Sequence, residues 1–301
     1  MKKIISLFVI ATMIVAAMSI STSAADVTST SQFAFDGTVN KLTANITADA
    51  TVHLTEASQN LVVDLNGFTW ECIDKVLKID NGASAEIYDS SEAKTGKIDS
   101  GNDAIDISNG TLTLKNITVV GGTDACDAVY ADGGNITIEG CTLSAGKAGI
   151  DSSNGSAGGG VSVVATVKDT TFASYANPGD RNCAIELRAS SDDQVITLVG
   201  NNVFTNNKIM IKSDYEKGLA AGIVAGEGAT VSFTDPAAVA NKNNYTYSEI
   251  TYTYTAPDGG EGEDEDEGGN NPETGDAFVV VAATVAAFAL AGVVVSKKVH
   301  A

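Results

Sequence analysis

AIDISNGTLTLKNITVVGG (residues 104–122) lies over AVYADGGNITIEGCTLSAG (residues 128–146) at an offset of 24 with no gap. The apolar positions coincide: Ile105 with Val129, Leu112 with Ile136, Leu114 with Ile138, Ile117 with Cys141, and Val119 with Leu143. Looser copies of the same phrase are LVVDLNGFTW from Leu61, ASAEIYDSS from Ala83, VVATVKDTTFAS from Val163 and VITLVGNNVFTN from Val195. Most hold two alternating apolar residues, a polar or Gly turn, and a further apolar position. Alternation with period two means strands, and short strands hinged by Asn, Asp or Gly mean a corner. Several units begin with one more short strand: AIDIS, AVYAD, AIELRAS and IMIKS. Three strands per coil at roughly 20–30 residues per coil predict an all-β fold, a right-handed parallel β-helix. One coil cannot bury its inward side chains, whereas stacked coils make one continuous core. A β-sandwich is the alternative, and the ungapped repeat with its recurring corner argues against it.

These same residues resemble the pectate-lyase-like β-helix superfamily, with VVDLNGFTW similar to an opening coil and LTLKNITVVGG and ITIEGCTLSAG similar to inner coils. The resemblance covers about residues 61–213, half the chain, and it implies a fold but no particular activity, because this scaffold hosts many functions.

Composition narrows the function classes. The chain has 301 residues, with 18 Lys and Arg against 38 Asp and Glu, a formal net charge of -20. Such a charge repels phosphate, so no nucleic acid is expected as a partner. At the start, Lys2 and Lys3 precede an apolar run from Ile4 to Ala17, and small residues follow up to Ala25. That order predicts a secretory signal peptide over residues 1–25.

At the far end, residues 278–296 carry no charge, and Lys297 and Lys298 follow. At about 1.5 Å per residue such a run reaches close to the hydrocarbon thickness of a bilayer. Just before it stand Asn271, Pro272, Glu273, Thr274 and Gly275. Pentapeptide, apolar segment and basic tail together resemble the sorting signal of Gram-positive surface proteins, in the Asn-Pro-x-Thr-Gly variant of the Leu-Pro-x-Thr-Gly motif. The resemblance implies that a sortase cysteine attacks the Thr274 carbonyl, cuts before Gly275 and passes the acyl group to a peptidoglycan amine. The partners are then a sortase and peptidoglycan, with the membrane touched through the uncleaved C-terminal segment. Localisation is the cell wall of a Gram-positive bacterium.

Between these ends, residues 256–270 are Gly-rich and acidic with no large apolar side chain. They read as an extended, self-repelling linker. The organisation is completed by an N-terminal cap at 26–56, the β-helix at 57–235 and a C-terminal strand or cap at 236–255. In that last segment Tyr245, Tyr247, Tyr252 and Tyr254 are expected to pack over the final coil, an exposed sugar-stacking patch being the other reading.

Chemistry is thinly signalled. His53 alternates with Val52 and Leu54 and should face solvent, while His300 sits in the discarded tail. No metal motif or cofactor fingerprint occurs, so no cofactor, no metal and no catalytic residue is assigned. Cys72, Cys126, Cys141 and Cys183 show no CxxC spacing, and free core thiols are expected. The most suggestive feature is a column. With Ile105, Val129, Ile185 and Ile211 pointing inward, Asp106, Tyr130, Glu186 and Lys212 face outward, with Arg188 beside them. That column is a candidate glycan-binding face for a polysaccharide or host-surface ligand, or simply a solvated sheet surface. The expected function is a wall-displayed, non-catalytic adhesin or glycan-binding module. The alternatives are a surface polysaccharide lyase or hydrolase and a structural spacer.

Overall fold

The computed structural model describes residues 24–153, 162–173, 182–188, 194–212, 219–234 and 245–256. The expected leader up to Ser23 and the whole segment after Ala256, with its linker and the stretches 271–275 and 278–296, lie outside the described residues. Among the described residues no helix is long and apolar enough to cross a membrane; the only α-helix there is Leu219–Gly222.

The chain is all-β and winds as a parallel β-helix of about six turns. Its strands fall into three columns. The first holds Val52–Leu54, Leu77–Asp80, residues 105–108, residues 127–131, Ala148–Ser152, Cys183–Leu187 and Lys208–Lys212, each parallel to the next. The second runs from Ala25–Val27 through Asp36–Leu42, Asn60–Asp64, Ser84–Tyr88, residues 111–115, residues 134–139, Val163–Lys168 and Gln194–Val199 to Ile223–Ala225. The third stacks Ile46–Ala48, Thr69–Cys72, Lys97–Ser100, Thr118–Val120, Thr142–Ser144, Thr171–Phe172 and Val203–Phe204. The ladder therefore reaches further toward the N terminus than residue 57, since Asp36 to Leu54 already pairs with the following coil.

The repeat that decided the fold is the register of the ladder. Ile105 stands opposite Val129, Leu112 opposite Ile136, Leu114 opposite Ile138 and Val119 opposite Leu143, and all eight are fully buried or nearly so. Alternation turns these side chains into one aliphatic stack, where each fully buried Val, Leu or Ile contributes about 1.5–3 kcal/mol. Between the second and third columns the backbone bends through a left-handed residue in coil after coil: Asn66 at φ 47°, Asn116 at 55°, Gly140 at 63°, Asp169 at 49° and Gly200 at 65°. Asn, Asp and Gly tolerate that conformation best, which is why they punctuate the repeat. Glycine is demanded most strictly where the coil closes. A Cβ on Gly122 would lie 2.3 Å from the Gly101 carbonyl oxygen, and Gly122 itself donates its N–H to the Asn102 carbonyl.

Both ends of the stack are covered. At the N-terminal end Phe33 meets Trp70 edge-on, with ring centroids 5.0 Å apart. At the other end Tyr245–Tyr254 runs antiparallel to both Lys208–Lys212 and Ala229–Phe233, the one departure from parallel pairing among the described residues. Tyr252 stands 6.0 Å from the Phe204 ring and donates its hydroxyl to the Gly200 carbonyl at 2.6 Å, while Tyr247 packs against Met210. The tyrosine-rich strand closes the final coil.

Candidate functional site

The outward positions of the first column form a row in strict register. Asp106 stands opposite Tyr130, Tyr130 opposite Asp151, Asp151 opposite Glu186, and Glu186 opposite Met210. The structure thus brings Asp106, Tyr130 and Glu186 into one row, as the alternation predicts. It corrects two expectations. Ile185 pairs with Ile209 rather than Ile211, so Met210 takes the place assigned to Lys212. And the row is not a solvated surface: Asp106 is 7% exposed, while Asp151 and Glu186 are fully buried.

The reason for the burial is mutual neutralisation. Lys147, itself buried, places its Nζ 2.6 Å from Asp127 Oδ2, 2.5 Å from Asp151 Oδ2 and 3.4 Å from Glu186 Oε2. Arg188 grips Asp151 through both carboxylate oxygens, with Nε 3.0 Å from Oδ1 and Nη2 on Oδ2, and its Nε is also 2.9 Å from Glu186 Oε1. The Arg188 guanidinium lies 5.5 Å from the Tyr130 ring centroid. Lys75 approaches the same ring at 5.9 Å and pairs with Asp106 at 2.7 Å and Asp103 at 3.3 Å. Charges removed from water survive only when paired and hydrogen-bonded, and this arrangement supplies the partners.

The pairing shifts the protonation of the group. Burial, with the Asp151 charge close by, pushes the Asp127 carboxyl well above the usual carboxylate range. Burial acts to lower the Lys147 pKa, but Asp151, Asp127 and Glu186 outweigh it and hold the ammonium above its ordinary value. Arg188 is likewise raised, burial opposing and Asp151 prevailing. Tyr130 is raised, first by burial.

Three of these residues lie outside the column expected from the sequence. Asp127 and Lys147 stand at the mouth of the first-column strands rather than inside the repeated phrase. Asp151 belongs to AGIDS, a strand whose Ile-Asp pair repeats Ile105-Asp106 and was the available signal for it.

The other outward surface is open and lightly charged. Thr113, Thr137, Thr166 and Thr197 stand in register across four successive coils, all partly exposed, with Val164 46% exposed beside them. Lys115 pairs with Glu86 at 2.8 Å and Lys168 with Glu139 at 2.6 Å along one margin. Elsewhere, His53 is 42% exposed as expected and contacts Asp80 at 2.6 Å. All four cysteines are free, as expected, but only Cys72, Cys141 and Cys183 are buried; Cys126 is half-exposed. Among the described residues no three His, Cys, Asp or Glu side chains are arranged to hold a metal ion. Comparison with family models, with curated proteins and with solved structures returns no match to this chain.

Proposed function

We propose that this chain is an exported surface protein, joined through Thr274 to peptidoglycan, that displays a right-handed β-helix and binds polysaccharide without cleaving it. One observation carries the non-catalytic reading. The carboxylates of the first-column row are buried and committed to Lys75, Lys147 and Arg188. A glycosidase needs two carboxyl groups open to the sugar between them, and a lyase needs a free base at the same place. Here acids and bases satisfy one another.

The row of Thr113, Thr137, Thr166 and Thr197 is the better candidate for contact with a polymer. Its hydroxyls recur at about 4.8 Å, the spacing of adjacent strands, so an extended chain meets the same group again and again. A net charge of -20 favours a neutral polysaccharide over a polyanion. Right-handed winding follows the handedness of about 98% of parallel crossover connections. The sorting reading rests on the order of Asn271 to Gly275, the apolar run and the two lysines. Before cleavage that run is the membrane contact, and a sortase the partner.

The test uses Gram-positive cells displaying the full chain. Thr274→Ala should move the protein from the covalent wall fraction to the membrane or medium; wall attachment surviving boiling detergent rejects the sorting step. Cells should retain labelled neutral polysaccharide, and lose it when Thr137 and Thr166 are both changed to Lys. Release of unsaturated uronate or reducing sugar ends the non-catalytic reading, and absence of any retained polysaccharide favours a spacer.

A further inference from the structure

We propose that Lys147 and Asp127 condense with loss of water into an amide that covalently joins two successive coils. The inference is independent of wall attachment and of any glycan. It starts from placement: the Lys147 backbone N–H donates to the Cys126 carbonyl at 2.8 Å, and Ala148 stands opposite Asp127 in the ladder. Lys147 and Asp127 therefore rise side by side from neighbouring coils, which fixes Nζ 2.6 Å from Oδ2. Both side chains are buried, so water neither dilutes the reactants nor shields their charges.

Three carboxyl groups touch the same amine, and their surroundings divide the roles. Asp151 is clasped by Arg188 through both oxygens, which makes it the poorer electrophile, while its Oδ2 stays within reach of the Nζ proton. Glu186 stands further from Nζ, at 3.4 Å, and also faces Arg188. Asp127 has no guanidinium, and burial favours its neutral acid, the form that loses hydroxide as water. Its Oδ1 accepts the Ala148 N–H at 3.1 Å, a donor placed where negative charge gathers when the carbonyl is attacked.

The step balances without an added reagent. A proton passes from the Lys147 ammonium to Asp151, 2.5 Å away, freeing the amine lone pair. Nζ attacks Cγ of the Asp127 carboxylic acid, and a tetrahedral intermediate forms. Asp151 hands its proton to the departing hydroxyl and takes the second proton from nitrogen. The C–O bond breaks, the C–N bond remains, and the products are an amide, one water and a protonated Asp151. Because the three carboxylates hold Lys147 in its charged form, the free amine is scarce and the bond forms slowly after folding. The closed loop ties one coil to the next at the level where the ionic cluster is densest.

Mass spectrometry of the full chain, purified folded and then denatured, decides the matter. The expected mass is one water below that of the linear chain, and a digest should yield a branched peptide joining Lys147 to Asp127. Lys147→Arg, whose guanidinium does not acylate, should give linear peptides only. Asp151→Asn should form the branch on the order of 100-fold more slowly, as expected for loss of a general base. An unbranched digest of the wild-type chain after prolonged incubation overturns the proposal, and this reading needs no variant to fold. Water lost at Asp132-Gly133 as a cyclic imide leaves the peptides unbranched and so counts against it. A branch ending on Asp151 or Glu186 overturns the choice of acceptor.

Discussion

Asp89 shows how far one carboxylate organises a coil. It accepts the backbone N–H groups of Gly67 at 2.9 Å, Ser91 at 2.9 Å and Gly96 at 2.6 Å, together with the Ser91 hydroxyl at 2.9 Å. Burial works against its charge, but these donors prevail and hold its pKa below the ordinary value. A depressed folded pKa means that the unfolded chain takes up the proton first. The stability Asp89 contributes is thus present above the ordinary Asp pKa and lost as pH falls through the lower folded value. Asp89→Asn should cost about 1.5–3 kcal/mol near pH 7, the range for hydrogen bonds to a charged group. In urea titrations the variant should also show a shallower loss of stability at acid pH; an unchanged acid limb would show the carboxylate charge to be idle. Thiols give a second reading at this scale. Burial raises Cys141 to about 12 and Cys183 well above its usual range, so neither offers thiolate at pH 8. Iodoacetamide should label half-exposed Cys126 first in the folded chain and reach Cys72, Cys141 and Cys183 only after denaturation. Early labelling of Cys183, read by peptide mapping, would mean that the first column opens.

Within the coil, the corners were legible and the closures were only half so. Asn66, Asn116 and Asp169 announce a turn by residue type alone, because few side chains accept positive φ. Asn116→Ala at φ 55° should therefore cost roughly 1–2 kcal/mol, whereas Asn116→Gly should be close to neutral. The paired glycines after Val120 read equally well as a loose loop, and only the stack reveals their tightness. A Cβ on Gly122 meets backbone rather than a movable side chain, 2.3 Å from the Gly101 oxygen and 2.7 Å from its carbonyl carbon. Gly122→Ala should lower the urea midpoint by more than Asn116→Ala, with a cost of about 3 kcal/mol or more. If the two prove equal, the closure is softer than its spacing indicates. The charged row marks the boundary of what alternation can tell. Alternation separates inward from outward, so Asp106, Tyr130 and Glu186 were found together. It cannot tell outward from exposed, because that depends on Lys147 and Arg188 arriving from neighbouring coils. Replacing Arg188 with Met leaves Asp151 and Glu186 buried beside one cation fewer, and the expected loss is about 3–5 kcal/mol. A loss below about 1 kcal/mol would place the pair in water after all.

For the molecule as a whole, the repeat was enough to predict the solenoid, since an ungapped offset is the pairing register itself. The reach of the ladder was not, because Asp36 to Leu54 carries the alternation without the repeated phrase. Stability in such a stack is a sum over coils and their interfaces, and each coil touches only its neighbours. The two ends should therefore respond separately to damage. Trp70, the single tryptophan of the chain, is buried in an early coil against Phe33 and reports on the N-terminal end. The antiparallel strand Tyr245–Tyr254 covers the opposite end, satisfying the open edge of Lys208–Lys212 and shielding Phe204. A chain ending at Thr234 exposes that edge and should associate through it, as unprotected strand edges do. In urea its far-ultraviolet circular dichroism should fall in two steps, the first at low denaturant as the C-terminal coils fray. Trp70 fluorescence should keep the midpoint of the chain ending at Ala256, because the strand removed by truncation packs at the far end of the stack from its coil. Coincident single transitions by both probes would instead mean that the coils fold as one block, with the ionic cluster or a covalent tie between coils carrying the coupling past its nearest neighbours.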